Sequence, residues 1–570
     1  MDGDWTIANL WLNGIRANRP GTAYLHEVDG EWRSVSWSEA GRIVDELANG
    51  LLALGVEKGE AFGLLARTTL EWALFDFALA LAGAVTAPIY PSSSARDVQY
   101  LLEHSDAVGV LVEDEAQRAK VAGAGLRHIL GYDDLDALRT DGRAFAAARP
   151  DALAERVASI GADDLFTFIY TSGTTGPPKA CMIRHRNYYA MVQKGDELEE
   201  RITRPDDVML LYLPLAHNYG RLLHLSAAYI GFTVAFLPDP LRAGTELQRV
   251  RPTLFPSVPR VYEKIHTAVV TELDALHGPR RRIADWALRV GRKVSRLRQQ
   301  GRPVPPLLAA QHRVADRLVF AKIKEKLGGR LRVANAGGAP LAREIAEFFH
   351  AIDLLILEGY GLSEITTAAT VNRISDFRFG TVGKPLPGVE LRIAGDGEIL
   401  IRSNTVFAGY YHDEPATRQV LDDDGFVHTG DVGHVDDDGF LVITDRKKDI
   451  IVTAGGKNVA PQNLENDLKT HGIVSQVVVV GDRRPYITAL VTVDPNAVDG
   501  LDQDAVREVV QSAIDAVNAE RSGFEQIKRF RVLPREFSIE EDEVTPTLKL
   551  RRKVILEHFA ADVDALYAPE

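Results

Sequence analysis

The chain has 570 residues, 45% of them hydrophobic and 26% charged, so it exceeds one compact domain and can bury a large core. Its net charge of −14 argues against a nucleic-acid-binding protein that relies on an overall basic field. The single cysteine, Cys181, excludes an intrachain disulfide and a multi-cysteine metal site and is typical of a reducing, cytoplasmic compartment. The acidic N-terminus has no basic segment followed by an apolar one, so we expect no signal peptide.

The first third of the chain alternates amphipathic helical stretches with short apolar runs. Residues from about 34 to 160 include the strand-like runs 62–65 and 108–112, and this alternation predicts a layered α/β fold with parallel strands. The most apolar stretch, Ala73–Ala87, contains Asp76 and is too short to span a bilayer. We expect it to form a buried helix that leads into a turn at 88–91.

A turn rich in glycine and hydroxyl groups follows the apolar run 165–169 and reads YTSGTTGPPK from Tyr170 to Lys179. Glycine lets a backbone approach a phosphate closely, successive amides form an anion-binding concavity, and lysine adds a compact positive charge. The turn therefore predicts a nucleotide-phosphate loop, although its glycine spacing excludes the pattern G-x-x-x-x-G-K-[ST]. The residues expected at the phosphates are Thr171, Ser172, Gly173, Thr174, Thr175, Gly176 and Lys179.

A basic segment interrupts the acidic background between the strand-like runs 233–237 and 331–335. From Arg280 to Arg302 there are nine basic residues and only one acidic residue, Asp285. Helical spacing places Ile283, Trp286, Ala287, Val290, Val294 and Leu297 on one face and Arg282, Arg289, Arg292, Lys293 and Arg296 on the other. The favoured interpretation is a surface helix with a solvated basic face, and the alternative is docking of this helix to an anionic membrane surface.

The last third of the chain changes character twice. Residues 389–443 contain short strand-like runs and Asp/Gly turns, which predict a small β-rich subdomain. The charged cluster 445–449 then interrupts the strands, and an α+β pattern follows it. We therefore predict an α/β protein with a large N-terminal domain of layered α/β subdomains plus the β-rich subdomain, residues 1–444, and a smaller α+β C-terminal domain, residues 445–570.

The phosphate turn resembles that of the acyl-adenylate-forming superfamily, which includes acyl-CoA synthetases, firefly luciferase and the adenylation domains of peptide synthetases. Further segments are similar to that superfamily, in its own order, from about residue 30 to 555, and the chain looks most like the long-chain fatty acyl-CoA synthetases. These segments are LPLAHNYGR (213–221), AGGAP (336–340), EGYGLSE (358–364), TGD (429–431), DRKKD (445–449), TAGGKN (453–458) and TPTLKLRR (545–552).

The resemblance implies a role for each of the first three segments. His217 would lie near the carboxylate of the acyl substrate. The backbone of Gly337, Gly338, Ala339 and Pro340 would contact adenine. In EGYGLSE, Tyr360 would stack on adenine beside Gly361, the hydroxyl of Ser363 would meet the α-phosphate, and Glu364 would bind Mg²⁺, a cation that prefers oxygen ligands.

For the later segments, the resemblance implies contacts with the ribose, a hinge between the domains and the groups that act in each half-reaction. Asp431 and Arg446 match the positions that hold the ribose, and Lys448 matches the hinge, residues 445–449, about which a mobile C-terminal domain would rotate. Gly455 and Gly456 belong to the loop that enters the site for thioester formation. Lys549 matches the catalytic lysine, although Leu548 stands where many relatives have glycine.

The resemblance implies ATP-dependent activation of a carboxylic acid, most like a long-chain fatty acid, through an acyl adenylate and pyrophosphate release, followed by transfer to CoA. ATP, Mg²⁺ and CoA would take part, with Lys549, Glu364, Lys179 and His217 as catalytic residues and no nucleic acid as partner. Four alternatives stay open: another acid such as an aryl or medium-chain acid, a carrier protein as acceptor, an ATPase or kinase of another class, and a non-catalytic nucleotide- or lipid-binding protein. Two further possibilities stay open. The protein could form a homodimer, and a cytoplasmic protein could contact the inner membrane face through residues 280–302.

Overall fold

The computed structural model describes residues 5–171, 177–198, 200–495, 497–545 and 549–568. The strands in these ranges are β1 (Thr22–Val28), β2 (Glu31–Ser36), β3 (Ala61–Leu65), β4 (Val85–Ile89), β5 (Ala107–Val112), β6 (His128–Gly131), β7 (Leu165–Thr171), β8 (Lys179–Arg184), β9 (Val208–Leu211), β10 (Thr233–Phe236), β11 (Leu254–Ser257), β12 (Val333–Ala336), β13 (Ile356–Tyr360), β14 (Thr370–Val371), β15 (Lys384–Pro385), β16 (Glu390–Ile393), β17 (Glu398–Arg402), β18 (Val427–Val435), β19 (Leu441–Arg446), β20 (Ile451–Val452), β21 (Asn458–Val459), β22 (Val474–Val480), β23 (Ile487–Val493) and β24 (Ile527–Val532).

The helices in the same ranges are α1 (Ile7–Arg16), α2 (Trp37–Ala53), α3 (Leu70–Ala82), α4 (Ala95–His104), α5 (Glu115–Lys120), α6 (Leu135–Ala148), α7 (Ala152–Ala158), α8 (His185–Asp196), α9 (Asn218–Ile230), α10 (Ala243–Val250), α11 (Pro259–Asp274), α12 (Gly278–Gln299), α13 (Pro306–Ala315), α14 (Ala321–Lys326), α15 (Arg343–Ala351), α16 (Glu414–Val420), α17 (Pro461–Lys469), α18 (Gln503–Ala519), α19 (Arg552–His558) and α20 (Ala560–Tyr567). A π-helical turn, Asp316–Phe320, joins α13 to α14. No helix within the described ranges is long and apolar enough to cross a membrane.

Two large sheets form the first part of the molecule. In the described residues, one sheet has the order β6-β5-β3-β4-β7-β8 and is parallel except for the β7–β8 hairpin. The other has the order β15-β14-β13-β12-β11-β9-β10-β1-β2 and is parallel from β1 to β13, with antiparallel pairs at both edges. The mixed α/β fold predicted from the alternating pattern is confirmed.

The apolar stretch 73–87 shows where the sequence pattern was misleading. Helix α3 is buried on nearly all sides, its N-terminus is capped by the Thr69 hydroxyl, which accepts from the Trp72 N–H at 3.3 Å, and Gly83 ends it at φ +70°. The chain then forms β4, which pairs with β3. The expected helix therefore ends five residues early, and Pro88 lies in a strand, because an apolar run buried on both sides carries no period that distinguishes helix from strand.

The basic segment is helical, as predicted, and forms most of α12. Ala287, Val290 and Val294 are buried, whereas the five basic residues of the opposite face are exposed. The expected apolar face is wrong at one end, because Ile283 is 41% exposed and its neighbour Ala284 is buried instead. The helix packs against α13 and α15, so its apolar face is covered by these two helices.

The last part of the chain contains smaller sheets. Strands β16 to β19 form an antiparallel sheet, which agrees with the predicted β-rich subdomain. The charged cluster 445–449 was expected to follow the strands, but its first two residues, Asp445 and Arg446, are the last residues of β19. Beyond it, the described residues form the β20–β21 pair and the sheet β22-β23-β24, whose two hydrophobic cores contain only residues after 450.

Candidate active site

A cavity of about 2330 Å³ contains the predicted site. The predicted residues that line it are Thr171, Lys179, His217, Gly337, Gly338, Ala339, Pro340, Tyr360, Gly361, Ser363, Glu364, Asp431, Arg446, Lys448 and Lys549. They come from segments spread over nearly 380 residues of chain, so the fold brings them together. Ser172, Gly173, Thr174, Thr175 and Gly176 lie outside the described residues.

The β7–β8 hairpin holds the ends of the predicted phosphate loop. Thr171 and Lys179 are paired across the two strands, so the two ends of the predicted phosphate loop lie side by side. The Lys179 ammonium lies 3.6 Å from a carboxylate oxygen of Asp413 and 5.3 Å from the centre of the Tyr410 ring. This places a cation at the base of the loop, where a phosphate would enter.

Glu364 lies just after β13, on a short helical turn of residues 363–365. Its Oε1 accepts a hydrogen bond from the Tyr410 hydroxyl at 2.6 Å. A Cβ on Gly361 would lie 1.7 Å from the carbonyl oxygen of Thr367, so the tight return of the chain requires glycine there. The turn thereby presents the Glu364 carboxylate to the cavity.

Tyr360, Asp431 and Arg446 form one hydrogen-bonded group. The Tyr360 hydroxyl donates to Asp431 Oδ2 at 2.6 Å, and Arg446 Nε lies 3.3 Å from Asp431 Oδ1. Asp431 and Arg446 are paired residues of β18 and β19, so the segments TGD and DRKKD lie side by side despite their separation in sequence. Burial and the neighbouring Asp431 raise the pKa of Tyr360 well above its ordinary value, so the ring keeps its hydroxyl proton.

Lys549 reaches the centre of the cavity from the C-terminal part of the chain. Its Cε lies 3.7 Å from the position that a Cβ would take on Gly338. Burial lowers the pKa of Lys549 to about 8, with a further lowering by Arg446 that Asp431 and Glu364 oppose. The cavity therefore contains an ammonium group whose pKa lies well below that of an ordinary lysine.

His217 caps the N-terminus of α9. Its Nδ1 accepts from the Tyr219 N–H at 3.1 Å, so in the neutral ring Nε2 carries the proton and can donate. Burial, and secondarily Lys549, lower the pKa of His217 to about 3. A neutral donor beside a lysine suits a carboxylate, which agrees with the expected place of the acyl head group.

Two residues of the cavity were given no role by the sequence, Tyr410 and Glu358. Tyr410 contacts both Glu364 and Lys179, and Glu358 is a buried carboxyl whose Oε2 accepts from the Leu341 N–H at 3.3 Å. Burial raises the pKa of Glu358 to about 8. Glu358 stands inside a segment that the sequence had singled out, but only the fold shows that its side chain faces inward.

Lys448 and the two glycines of the following hairpin differ in position. Lys448 lines the cavity, and burial, then Arg446, lower its pKa. Gly455 and Gly456 form the exposed turn between β20 and β21 and are absent from the described lining of the cavity. The structure therefore brings Lys549, and not this glycine turn, to the site.

An apolar region continues the cavity away from the polar groups. Tyr219, Leu222, Leu223, Ser226 and Ile230 line it from one face of α9, at the spacing of successive helical turns. Further lining residues are Met191, Val192, Leu198, Ile202, Phe232 and Leu254. The cavity thus combines a charged region, suited to a nucleotide, with a hydrophobic region next to His217.

These features define an AMP-binding enzyme, and the chain belongs to that family. The AMP-binding enzyme family matches residues 15–411, and the AMP-binding enzyme C-terminal domain matches residues 448–570.

Individual relatives extend the match to nearly the whole chain. The long-chain-fatty-acid–CoA ligase FadD15 of Mycobacterium bovis is 40% identical, over 96% of this chain and 94% of the relative. The long-chain-fatty-acid–CoA ligase ACSBG2 of Xenopus laevis is 30% identical over 99% and 84%. Among solved structures, the adenylation domain of a carboxylate reductase from Mycobacterium chelonae has a TM-score of 0.79 at 24% identity, covering 99% of this chain and 91% of that one, and supports the fold.

Proposed function

We propose that this protein is an AMP-forming ligase that activates a long-chain fatty acid with ATP and transfers the acyl group to CoA. The names of the relatives at 40% and 30% identity support this proposal. The reaction forms an acyl adenylate with release of pyrophosphate, and the CoA thiol then displaces AMP.

The observation that carries the long-chain assignment is the course of α9 along the cavity. His217 stands at the N-cap of this helix beside the charged region, and Ile230 ends it. At 1.5 Å per residue the helix spans roughly 20 Å, and its cavity face is apolar after Tyr219 except for Ser226. An extended long-chain acyl group with its carboxylate at His217 can lie along this face.

The first half-reaction requires a carboxylate to attack the α-phosphate of a polyanion. The groups available to offset the negative charge are Lys179 at the phosphate loop, Lys549 at the centre of the cavity and the Nε2–H of His217. Such fixed charges stabilise the transition state electrostatically. Tyr360 and the loop 337–340 would hold adenine, and Asp431 with Arg446 would hold the ribose.

The residues also fit a Mg²⁺ ion bound with ATP. Mg²⁺ commonly takes one or two carboxylates together with phosphate and water oxygens, and Glu364 supplies one carboxylate to the cavity. No group of three or more His, Cys, Asp or Glu side chains that could hold a metal ion occurs in the described ranges. When bound, the ion would offset charge on the leaving pyrophosphate.

The second half-reaction requires another part of the chain to approach the adenylate. The turn at Gly455 and Gly456 is implied in this step, and it is exposed while Lys549 occupies the cavity. We therefore assign the described arrangement to adenylate formation and propose that residues 445–570 rotate about Lys448 before CoA attacks.

The test is pyrophosphate release from ATP and Mg²⁺ with saturated fatty acids of graded length, with and without CoA. Stoichiometric AMP, pyrophosphate and acyl-CoA, with the highest kcat/KM at long chains, is the expected result. A preference for aryl or medium-chain acids would change the proposed substrate and leave the proposed mechanism in place. Release of phosphate in place of pyrophosphate would overturn both.

We also propose that α12 and α13 contact an anionic membrane. Arg282, Arg289, Arg292, Lys293 and Arg296 are exposed, and none has an ion-pair partner within 4.0 Å in the described part of the chain. On α13, which packs against α12, and on the π-helical turn after it, Leu307, Val314 and Leu318 are 74%, 50% and 44% exposed. Each basic residue near such a surface adds about 1 kcal/mol, and the exposed apolar side chains add burial in the lipid interface.

Vesicle sedimentation tests this contact. Binding to vesicles of phosphatidylglycerol and phosphatidylcholine should fall about tenfold or more in Arg289→Glu/Arg292→Glu and also fall in Leu307→Ser/Leu318→Ser. The control Arg418→Glu/Arg483→Glu reverses two exposed charges elsewhere and should bind like the parent protein. Equal binding by all variants would contradict the proposal.

A further inference from the structure

Arg260 connects the two predicted domains. It is the second residue of α11, and its Nη1 donates to the carbonyl oxygen of Ser475 in β22 at 2.6 Å. Its Nη2 donates to the Ser475 hydroxyl and, at 2.9 Å, to Glu536 Oε1. The side chain is only 17% exposed. We call this group the Arg260 bridge: Arg260, Ser475 and Glu536.

The location of Arg260 on its helix indicates that the bridge is not a device for stabilising α11. A cation in the first turn of a helix faces the positive end of the helix dipole and is unfavourable there. Glu263, one turn later, lies 3.5 Å away and offsets part of that cost. The shorter bonds of Arg260 go to residues more than 200 positions later in the chain, so its main effect is on how the C-terminal part is held.

Hydrogen bonds between short, neighbouring stretches of the chain lead from the Arg260 bridge to Lys549. Arg535, next to Glu536, donates to both carboxylate oxygens of the buried Glu543, at 2.6 and 2.8 Å. The Glu543 carbonyl accepts from the Arg551 N–H at 2.7 Å. The Lys549 carbonyl accepts from the Thr545 N–H at 2.8 Å, and the Lys549 N–H donates to the Thr545 hydroxyl at 3.0 Å. Lys549 is therefore carried on a segment that is tied to Glu536.

We infer that Arg260 is a positioning residue for adenylate formation: it holds the C-terminal part against α11 so that Lys549 reaches the cavity. The chain also approaches α11 at Gly472, where an added Cβ would lie 3.6 Å from a methyl carbon of Thr267. Arg260 does not need to touch substrate for this role. The inference is tested in two ways. The activity test rests on the proposed function, whereas the distance test depends only on the Arg260 bridge.

The activity test is a double-mutant cycle with Lys549. Arg260→Ala should lower the rate of pyrophosphate release without CoA about tenfold or more, as expected when a charge-assisted hydrogen bond is removed. In a Lys549→Ala background the same change should have little further effect, because it acts through Lys549. The combination Arg260→Glu/Glu536→Arg should recover part of the activity lost in Arg260→Glu. Lys264→Ala, on an exposed residue one turn later in α11, is the matched control and should leave the rate unchanged.

The distance test does not depend on any activity. Cys181 is buried, so spin labels can be placed on new cysteines at the exposed positions Glu272 and Lys528. In Arg260→Ala the distance between the labels should broaden and shift, and in Lys264→Ala it should not. Unchanged distances, or a tenfold loss of rate that persists in the Lys549→Ala background, would overturn the inference. If the distances change in Arg260→Ala but the parent protein releases no pyrophosphate, the structural role of the Arg260 bridge is supported and the proposed function is rejected.

Discussion

Lys549 lies where burial and local charge act against each other. Burial lowers its pKa to about 8, while Asp431 and Glu364 favour the charged form. Because the ammonium is the form that offsets negative charge, we expect kcat/KM for ATP in the first half-reaction to fall as pH rises through about 8. An unperturbed lysine would give this fall only above about pH 10.

The measurement is pyrophosphate release without CoA, so that the CoA thiol does not contribute to the profile. Lys549→Arg keeps its charge at every accessible pH, and we expect a lower rate with no fall near pH 8. Lys549→Ala should depress adenylation and spare the conversion of a supplied acyl adenylate. The same fall near pH 8 in Lys549→Arg would show that another group titrates there.

Glu358 gives a prediction about stability. Its pKa is raised to about 8 by burial, whereas an unfolded glutamate titrates near 4.3. Between these values the folded chain holds a proton that the unfolded chain has lost, so the free energy of unfolding should decrease as pH rises from about 4.3 to 8 and then level off. In Glu358→Gln this contribution is absent. The unfolding temperature of the parent protein should therefore fall relative to that of Glu358→Gln over this window, while the exposed control Glu414→Gln follows the parent.

At the residue scale, sequence similarity located most of the cavity lining, but it could not locate contacts that only the fold creates. Glu364 and Asp431 were predicted from their motifs and lie in the cavity. Tyr410 and Arg260 were not assigned, although one holds Glu364 and the other joins α11 to β22. Their partners lie 46 and 215 residues away, and no local pattern encodes such pairings.

Helix α9 is the element that sets the proposed acyl length. Leu222, Ser226 and Ile230 line the cavity on successive turns from His217, so a bulky residue at each position should block the chain at a different depth. We expect Leu222→Trp to move the preferred acid to the shortest chain, Ser226→Trp to an intermediate length, and Ile230→Trp to a length near that of the parent.

The measurement is kcat/KM for pyrophosphate release across acids of graded length. Leu241→Trp, at a residue 92% exposed, is the control for a bulky substitution outside the cavity. An optimum that fails to follow the order of the three positions would show that the acyl chain does not lie along α9.

At the same scale, the sequence predicted amphipathic and β-rich elements better than fully buried ones. The basic helix shows a clear helical spacing of apolar and basic residues, and residues 389–443 contain clear Asp/Gly turn signals. The predicted helix and the predicted β-rich region are both present. The run 73–87 has neither, and β4 lies where the end of a helix and the start of a turn are expected. Gly83, at φ +70°, is the residue that divides the run, but a lone glycine in an apolar stretch is a weak signal.

Across the whole molecule, the chain is acidic, and basic and acidic side chains both line the cavity. The net charge is −14, yet Lys179, Arg446, Lys448 and Lys549 all face one cavity. Because a net negative charge repels polyanions at long range, these four basic side chains would supply the local attraction for the proposed polyphosphate substrate. The exposed basic face of α12 likewise contrasts with the net negative charge of the chain.

The proposed rotation of the C-terminal part predicts that the two half-reactions can be separated at an exposed site. Gly455 lies at the β20–β21 turn outside the described cavity lining, and a Cβ there would meet only the Thr453 hydroxyl, at 3.9 Å. Gly455→Phe should therefore fold and form acyl adenylate normally. If the turn enters the site for thioester formation, the large side chain should lower acyl-CoA production about tenfold or more, since a misplaced group near the reacting atoms is costly. Gly523→Phe, at another exposed glycine with open space, is the matched control, and an equal loss of both half-reactions in Gly455→Phe would contradict the rotation.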